Sequence, residues 1–322
     1  MAKKTDYRPL DAMVFPRFEG IRTFMRLPHV TDLQGVDFAI AGVPFDTGGT
    51  YRVGARFGPG SIREHSMLLR PYHPFLDVEI FKHCSGVDYG DLPITPGYLP
   101  ESHAQITEGA REIIKHDLTP IFLGGDHSVS LPLLRAIHEK HGPVALIQFD
   151  SHSDLWHGYF GTKDTHGTPF RRALEENLII PERSVQIGLR GPLYDKADFD
   201  MTREAGMLDI SGPDLHEMGI DEAVNQIVDW VGDTKTYLTF DIDFVDPTFA
   251  PGTGTPEVGG FSGYESQALL RGLKDLNIIG FDLVEVMPAY DPANITSLLA
   301  ANLIYEFLAI IALRHKTGGS DG

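Results

Sequence analysis

TPIFLGGDHSVSLPLLRAIHEKHGPVALIQFDSHSD, residues 119–154, contains a complete strand–helix–strand unit. TPIFLGG (119–125) and PVALIQFD (143–150) are short and apolar on both faces, as strands inside a parallel sheet are. SVSLPLLRAIHEK (128–140), between them, carries apolar residues at helical spacing. The same pattern extends in both directions. VDFAIAGV (36–43), SVQIGLR (184–190), TYLTFDID (236–243) and NIIGFDLVEV (277–286) read as further strands. Residues 102–116, 220–232, 262–275 and 295–313 read as helices. Strands alternating with helices specify an α/β fold around a mainly parallel sheet, with right-handed crossovers.

Pro9, Pro16 and Pro28 break any periodicity near the start, so residues 1–36 are expected to form an irregular extension. Residues 37–314 are expected to form one domain, and 315–322 (HKTGGSDG) a disordered tail. The segment 295–313 is apolar nearly all round, but Asn302 and Glu306 interrupt it. It reads as a buried core or oligomer-contact helix rather than a membrane span.

The net charge is −18, from 45 acidic against 27 basic residues, a surface that repels phosphate backbones and argues against nucleic-acid binding. Cys84 is the single cysteine, which excludes an intramolecular disulfide and reads as a small structural residue. The opening MAKKTDYRPLD lacks the apolar run of a secretory signal, and a cytoplasmic location is expected.

Chemistry concentrates where strands end, the usual ligand crevice of an open parallel sheet. One strand ends in GGDH (124–127), the next in DSHSD (150–154), and a third in DID (241–243). If these stretches stay extended, alternation turns Asp150, His152 and Asp154 to one side, and Asp241 and Asp243 likewise. With His127 they would gather four carboxylates and two imidazoles at one sheet edge, mutually repulsive without a cation. Two divalent ions would neutralise them and make water a nucleophile near neutral pH. The donor set suits Mn²⁺, with Ni²⁺ compatible through imidazole. Asp126 reads as a supporting or capping carboxylate beside His127.

GGDHS (124–128), FDSHSD (149–154), THGTPF (165–170), TFDIDFVDPTFAPGTGTPEVGG (239–260) and DLVEVMPAYD (282–291) resemble the ureohydrolase family of arginases, agmatinases and related guanidino-compound hydrolases. The motifs occur in the family's order across about residues 37–310. The resemblance implies a three-layer α/β/α fold with about eight strands, a binuclear metal centre, and hydrolysis of a guanidino compound to urea and an amine. It also implies that Asp150 and Asp241 bridge the metals, with His127 and Asp154 completing one site and His152 and Asp243 the other. Asp154 would also hold the attacking water, His166 would shuttle protons, and Glu285 would pair with the guanidinium. A homo-oligomer, trimer or hexamer, is implied as well.

PFDTGGTYRVGARFGPGSIR (44–63) and Glu257 resemble the agmatinase-like branch, with Arg52, Arg56 and Arg63 read as loop braces. Ser151 replaces the alanine usual in the metal motif and is expected to face away from the metals. Trp156, His157, Tyr159 and Phe160, in LWHGYFGTKDTHGTPFRRA (155–173), are the candidate substrate-tail contacts. The run resembles guanidino-acid hydrolases such as guanidinobutyrase, and Lys163, Arg171 or Arg172 could meet a carboxylate tail. Agmatine, free guanidine and alkylated guanidines are the alternative substrates. A non-catalytic subunit of a hetero-oligomer is the reading from another class; the complete ligand set argues against it.

Overall fold

The computed structural model describes residues 6–318. Its central sheet has eight strands: β1 (Phe38–Gly42), β2 (Gly86–Asp91), β3 (Thr119–Leu123), β4 (Ala145–Phe149), β5 (Val185–Ile187), β6 (Leu208–Ile210), β7 (Thr236–Asp241) and β8 (Ile278–Val284). They lie in the order β2-β1-β3-β8-β7-β4-β5-β6, and every neighbouring pair is parallel.

Alternation along the strands divides the apolar residues between two layers. Phe38, Ile40, Ile121, Leu123, Ile147 and Phe149 enter one layer. Ala39, Ala41, Phe122, Leu146 and Tyr237 enter the other. The helices of seven residues or more are α1 (Gly58–His65), α2 (Leu99–Ile114), α3 (Ser130–His141), α4 (Pro169–Glu175), α5 (Lys196–Glu204), α6 (Gly212–Met218), α7 (Ile220–Val231), α8 (Gly263–Gly272) and α9 (Ile295–Gly318). Ile62 of α1, Leu215 of α6, Ile227 of α7, Leu269 of α8 and most of α9 cover the first layer. Ile106 and Ile113 of α2, Leu134 of α3 and Phe170 of α4 cover the second. This is the three-layer α/β/α arrangement expected.

Two strands were not legible from apolar runs. In β2, GVDYGD, the inward Asp88 is 1% exposed, and Arg63 reaches it from α1 to supply its counter-charge. Arg63 Nε lies 2.8 Å from Asp88 Oδ2, and Nη1 lies 2.6 Å from Asp91 Oδ1. The other, β6, is three residues long. The last helix, α9, extends further than expected: residues 315–318 are helical, while 319–322 lie outside the described residues. Residues 303–312 of α9 are buried throughout, and Glu306 accepts from His73 Nε2 (2.9 Å) and Gln267 Nε2 (3.1 Å). The core-helix reading of 295–313 therefore holds within this chain.

Register places the chemistry. Leu123 pairs with Leu283, Val284 with Asp241, and Phe149 with Phe240, so β3, β8, β7 and β4 end at one rim. Segments far apart in sequence thereby meet at the carboxyl edge of four adjacent strands. Replacing Arg63 by Met leaves Asp88 buried without its cation. A loss of about 3–5 kcal/mol is expected in urea unfolding; a change below ~1 kcal/mol would show that the pair does not hold β2 in place.

Candidate active site

The metal-type residues converge, but turns rather than extended backbone bring them together. His127 opens a 3₁₀ turn (His127–Val129) whose cap is Asp126, accepting from Ser128 N at 3.0 Å. Asp126 also accepts from Gly48 N at 2.7 Å, so it supports the site as expected. Gly125 permits the close passage just before this turn, because a Cβ there would collide with the Phe45 carbonyl oxygen. Asp243 likewise sits in a turn (Ile242–Phe244), capped by Asp241, whose Oδ1 accepts from Asp243 N at 2.8 Å. Residues 151–152 bend, and Asp154 adopts φ 52°. Glu285, immediately beyond β8, has φ 63°. Left-handed backbone at two non-glycine residues costs about 1–3 kcal/mol each, and such strain concentrates at functional sites.

Two ligand groups result. His127, Asp150 and Asp241 form one, and Asp150, His152 and Asp243 the other, with donor atoms within 4.8 Å of each other in each group. Asp150 belongs to both. His127 Nδ1 lies 3.0 Å from Asp150 Oδ2, 3.0 Å from Asp154 Oδ2 and 3.2 Å from Asp241 Oδ2. His152 Nδ1 lies 3.0 Å from Asp243 Oδ2. Burial and neighbouring carboxylates push Asp154 up to about 6 and Asp241 well above the usual carboxylate range. Burial opposes charging His127 and His152, but the carboxylates crowded around them outweigh it and raise both. Carboxylates buried this close together are favourable only beside positive charge, which divalent ions would supply.

The tautomers agree with metal binding. Thr239 Oγ1 donates to Asp282 Oδ1 (2.5 Å), so its contact with His127 Nε2 (2.8 Å) makes that nitrogen the N–H. Nδ1 is then a lone-pair donor, buried and without a hydrogen-bond partner, aimed at three carboxylates. The residues thus fit divalent ions. A relay of buried side chains fixes the shared carboxylate. Thr202 Oγ1 donates to Gln186 Oε1 (2.5 Å), Gln186 Nε2 to Gln148 Oε1 (2.5 Å), and Gln148 Nε2 to Asp150 Oδ2 (2.7 Å). Ser151 does not face away: its hydroxyl donates to Asp243 Oδ1 (2.7 Å), because the chain bends at this residue. An alanine there could not make that bond.

His166 and Glu285 meet, with Nδ1 2.9 Å from Glu285 Oε1. Glu285 Oε1 also accepts from His127 N (2.9 Å), while Oε2 is buried without a partner. Burial opposes charging His166, but Glu285, Asp154 and Asp126 outweigh it and raise its pKa to about 9. Its Nε2 faces the Thr50 hydroxyl (2.7 Å), which serves either protonation state, and the Thr50 amide (3.2 Å), which suits the neutral ring. A histidine accommodated in both states is equipped to pass a proton.

Above the rim lies a cavity of about 330 Å³. Its lining includes Thr50, His152, Asp154, His166 and Asp241, with Trp156, Tyr159, Leu193, Tyr194 and Glu257 on its outer walls. Trp156 and Tyr159 are where the sequence placed them. Phe160 is 85% exposed, and neither it nor His157 lines the cavity. His157 instead pairs with Arg171 (2.5 Å). The expected carboxylate anchors are also elsewhere. Arg172 is 2.9 Å from Glu175, Arg171 is 3.6 Å from it, and Lys163 does not line the cavity. Sequence reasoning missed Pro192, Leu193 and Tyr194, although they follow β5 at the same carboxyl edge.

A buried, preorganised set of hard metal donors on the carboxyl edge of a parallel α/β sheet defines a metal-dependent hydrolase. The chain belongs to the arginase family, whose sequence profile matches residues 36–309, and it is an amidinohydrolase of that binuclear-metal family. It is 43% identical to guanidinobutyrase of Pseudomonas aeruginosa, over 96% of this chain and 98% of that one. It is 42% identical to guanidinopropionase of the same organism, over 95% and 96%. The solved structure of proclavaminate amidino hydrolase from Streptomyces clavuligerus superposes with a TM-score of 0.88 at 40% identity, covering 93% of this chain and 99% of that one.

Thr239→Val removes the hydroxyl that orients His127. Metal affinity, measured by calorimetric titration of the metal-free protein, is expected to fall about 10–100-fold with the fold retained. Undiminished affinity would show that Thr239 does not set the ligand's orientation.

Proposed function

We propose that this chain releases urea from a small guanidino compound whose tail is uncharged or cationic. In this reading His127, Asp150, His152, Asp154, Asp241 and Asp243 hold two divalent ions. The carrying observation is the membership of Asp150 in both ligand groups beneath an aromatic-walled cavity. His127 and Asp154 would hold one ion and His152 and Asp243 the other, with Asp150 and Asp241 available to both. Mn²⁺ is the first candidate and Ni²⁺ the second. When bound, the ions make water acidic enough to attack at neutral pH and stabilise negative charge as it develops.

The side chains supply position and protons. Glu285 lies behind His166, outside the cavity lining, and its unpartnered carboxylate oxygen would accept from the planar fork of guanidinium N–H donors. Asp154 orients the attacking water. His166 delivers a proton to the departing amine nitrogen, which would otherwise leave as an unstable anion. Glu285 holds that imidazole through Nδ1.

The tail reading rests on charge. No lysine or arginine lines the cavity, while Glu257 does, and three aromatic rings form its walls. A carboxylate tail would meet Glu257, and Arg190, the arginine beside it, is turned to the Asp243 and Glu257 carbonyl oxygens. A second reading, a guanidino acid, is favoured by the likeness to guanidinobutyrase and guanidinopropionase, and by the buried, unpartnered Trp156 Nε1 as a neutral donor. We carry a cytoplasmic location and assembly as a homo-trimer or homo-hexamer as parts of the same proposal.

The test is urea release by protein loaded with Mn²⁺ or Ni²⁺. Agmatine, guanidine and methylated guanidines are expected to exceed 4-guanidinobutyrate and 3-guanidinopropionate in kcat/KM by ~10-fold or more, the equivalent of one misplaced charge contact. A lead for either acid would install the second reading. No urea from any of them, with fewer than one ion bound per chain, would favour a non-catalytic subunit. His166→Asn is expected to lower kcat by about 10²–10⁴-fold with metal content unchanged; full turnover would remove it from the mechanism. Asp154→Asn keeps a residue that tolerates left-handed backbone, so its expected loss of turnover should come with an unchanged thermal midpoint.

A further inference from the structure

Cys84 is one of three metal-type residues that meet away from the carboxyl edge. Asp37 lies immediately before β1, Cys84 two residues before β2, and His315 in the last turns of α9. Their donor atoms, a carboxylate oxygen, the thiol sulfur and an imidazole nitrogen, all lie within 4.8 Å of one another. Both strands begin at this edge, so the group sits at the opposite end of the sheet from the active site.

The backbone here is locked. Asp37 N donates to Ser85 O (2.8 Å), and Ser85 N donates to Asp37 Oδ2 (2.7 Å). The second bond turns Asp37 Oδ1 toward His315 Nδ1, 3.9 Å away. Cys84 is 4% exposed and the Asp37 side chain 10%, while the His315 side chain is 40% exposed. The group is thus a buried thiol and a nearly buried carboxylate, closed by an imidazole that has room to move.

We propose that Asp37, Cys84 and His315 form a third metal site, distinct from the binuclear centre and selective for a thiolate-accepting ion such as Zn²⁺ or Co²⁺. Thiolate and imidazole donors select these ions, whereas the active-site set of carboxylates and imidazoles suits harder ones. Donors around a tetrahedral ion sit about 3.5 Å apart, given ligand bonds of about 2.0–2.3 Å. Rotation of the half-exposed His315 ring closes the remaining distance. Binding releases the thiol proton to solvent, and water takes the fourth position on the exposed side. The ion then ties the end of α9 to the amino edge of β1 and β2, a structural role rather than a catalytic one.

A single cysteine makes the test unambiguous. Cobalt is titrated into the full-length, metal-free protein, and the thiolate-to-cobalt charge-transfer absorption is followed in the near ultraviolet. The active-site donors are all oxygen and nitrogen, so that band reports on Cys84 alone, whether or not the binuclear reading is correct. The expected result is a band saturating at one equivalent of sulfur-bound cobalt, abolished in Cys84→Ser. In His315→Ala, which alters only a half-exposed helix-end side chain, apparent affinity should fall at least ~10-fold while urea release stays at the native level. Zn²⁺ should displace the cobalt and abolish the charge-transfer band in the native chain. Absence of the band in folded native protein would overturn the proposal. So would a band of undiminished affinity in both His315→Ala and Asp37→Asn, which would reduce it to binding by the thiol alone.

Discussion

Everything at the carboxyl edge follows from crowding His127 Nδ1 among Asp150, Asp154 and Asp241, each within 3.2 Å of it. Without a cation this arrangement is unfavourable: like charges approach closely in a buried space, and the protonation of each group depends on its neighbours. It persists because the rest of the molecule over-determines it. The order β3-β8-β7-β4 brings together four strand ends that are remote in sequence. Short turns set the final directions of His127 and Asp243, and the relay from Thr202 through Gln186 and Gln148 fixes Asp150. Strain at Asp154 and Glu285 belongs to the same design, since left-handed backbone aims both side chains where an ordinary strand end would not.

The sequence was most informative where burial is two-sided. Strands β1, β3, β4, β7 and β8 are apolar on both faces, so their existence and order of appearance were plain. Strand β2 was hidden because its stability depends on an ion pair with α1, and a window containing Asp88 and Asp91 reads as polar until Arg63 is known to cover it. Strand β6 is too short for periodicity to register. Both lie toward sheet edges, where fewer neighbours constrain the side chains.

At the site, the residue list was legible but the reason for convergence was not. Alternation in an extended chain would turn Asp150, His152 and Asp154 together and Ser151 away. The chain bends at 151–152, and Ser151 donates to Asp243 instead. Residue types pointed to a cluster of metal-type donors, whereas backbone conformation, which no short pattern encodes, decides who touches whom. The resemblance supplied His166 and Glu285, and the structure gives them a physical link through one 2.9 Å contact. Leu193 and Tyr194 belong to no motif that marks them, although the rule that ligands sit beyond strand ends applies equally to β5.

The same distinction separates reaction from substrate. The donor set that selects the metals is buried and hard, and it is closed by residues that also hold the strand ends; few substitutions there leave the site intact. The outer walls of the cavity come from three connections, 155–168, 188–195 and 245–262. Loops of this kind can change sequence without disturbing the rim. Likeness of about 40% across the whole chain therefore carries the amidino chemistry more strongly than the identity of the tail. Tail preference is then set by local charge. In this chain the outer wall carries Glu257 and aromatic rings, while Arg171 and Arg172 are engaged with Glu175.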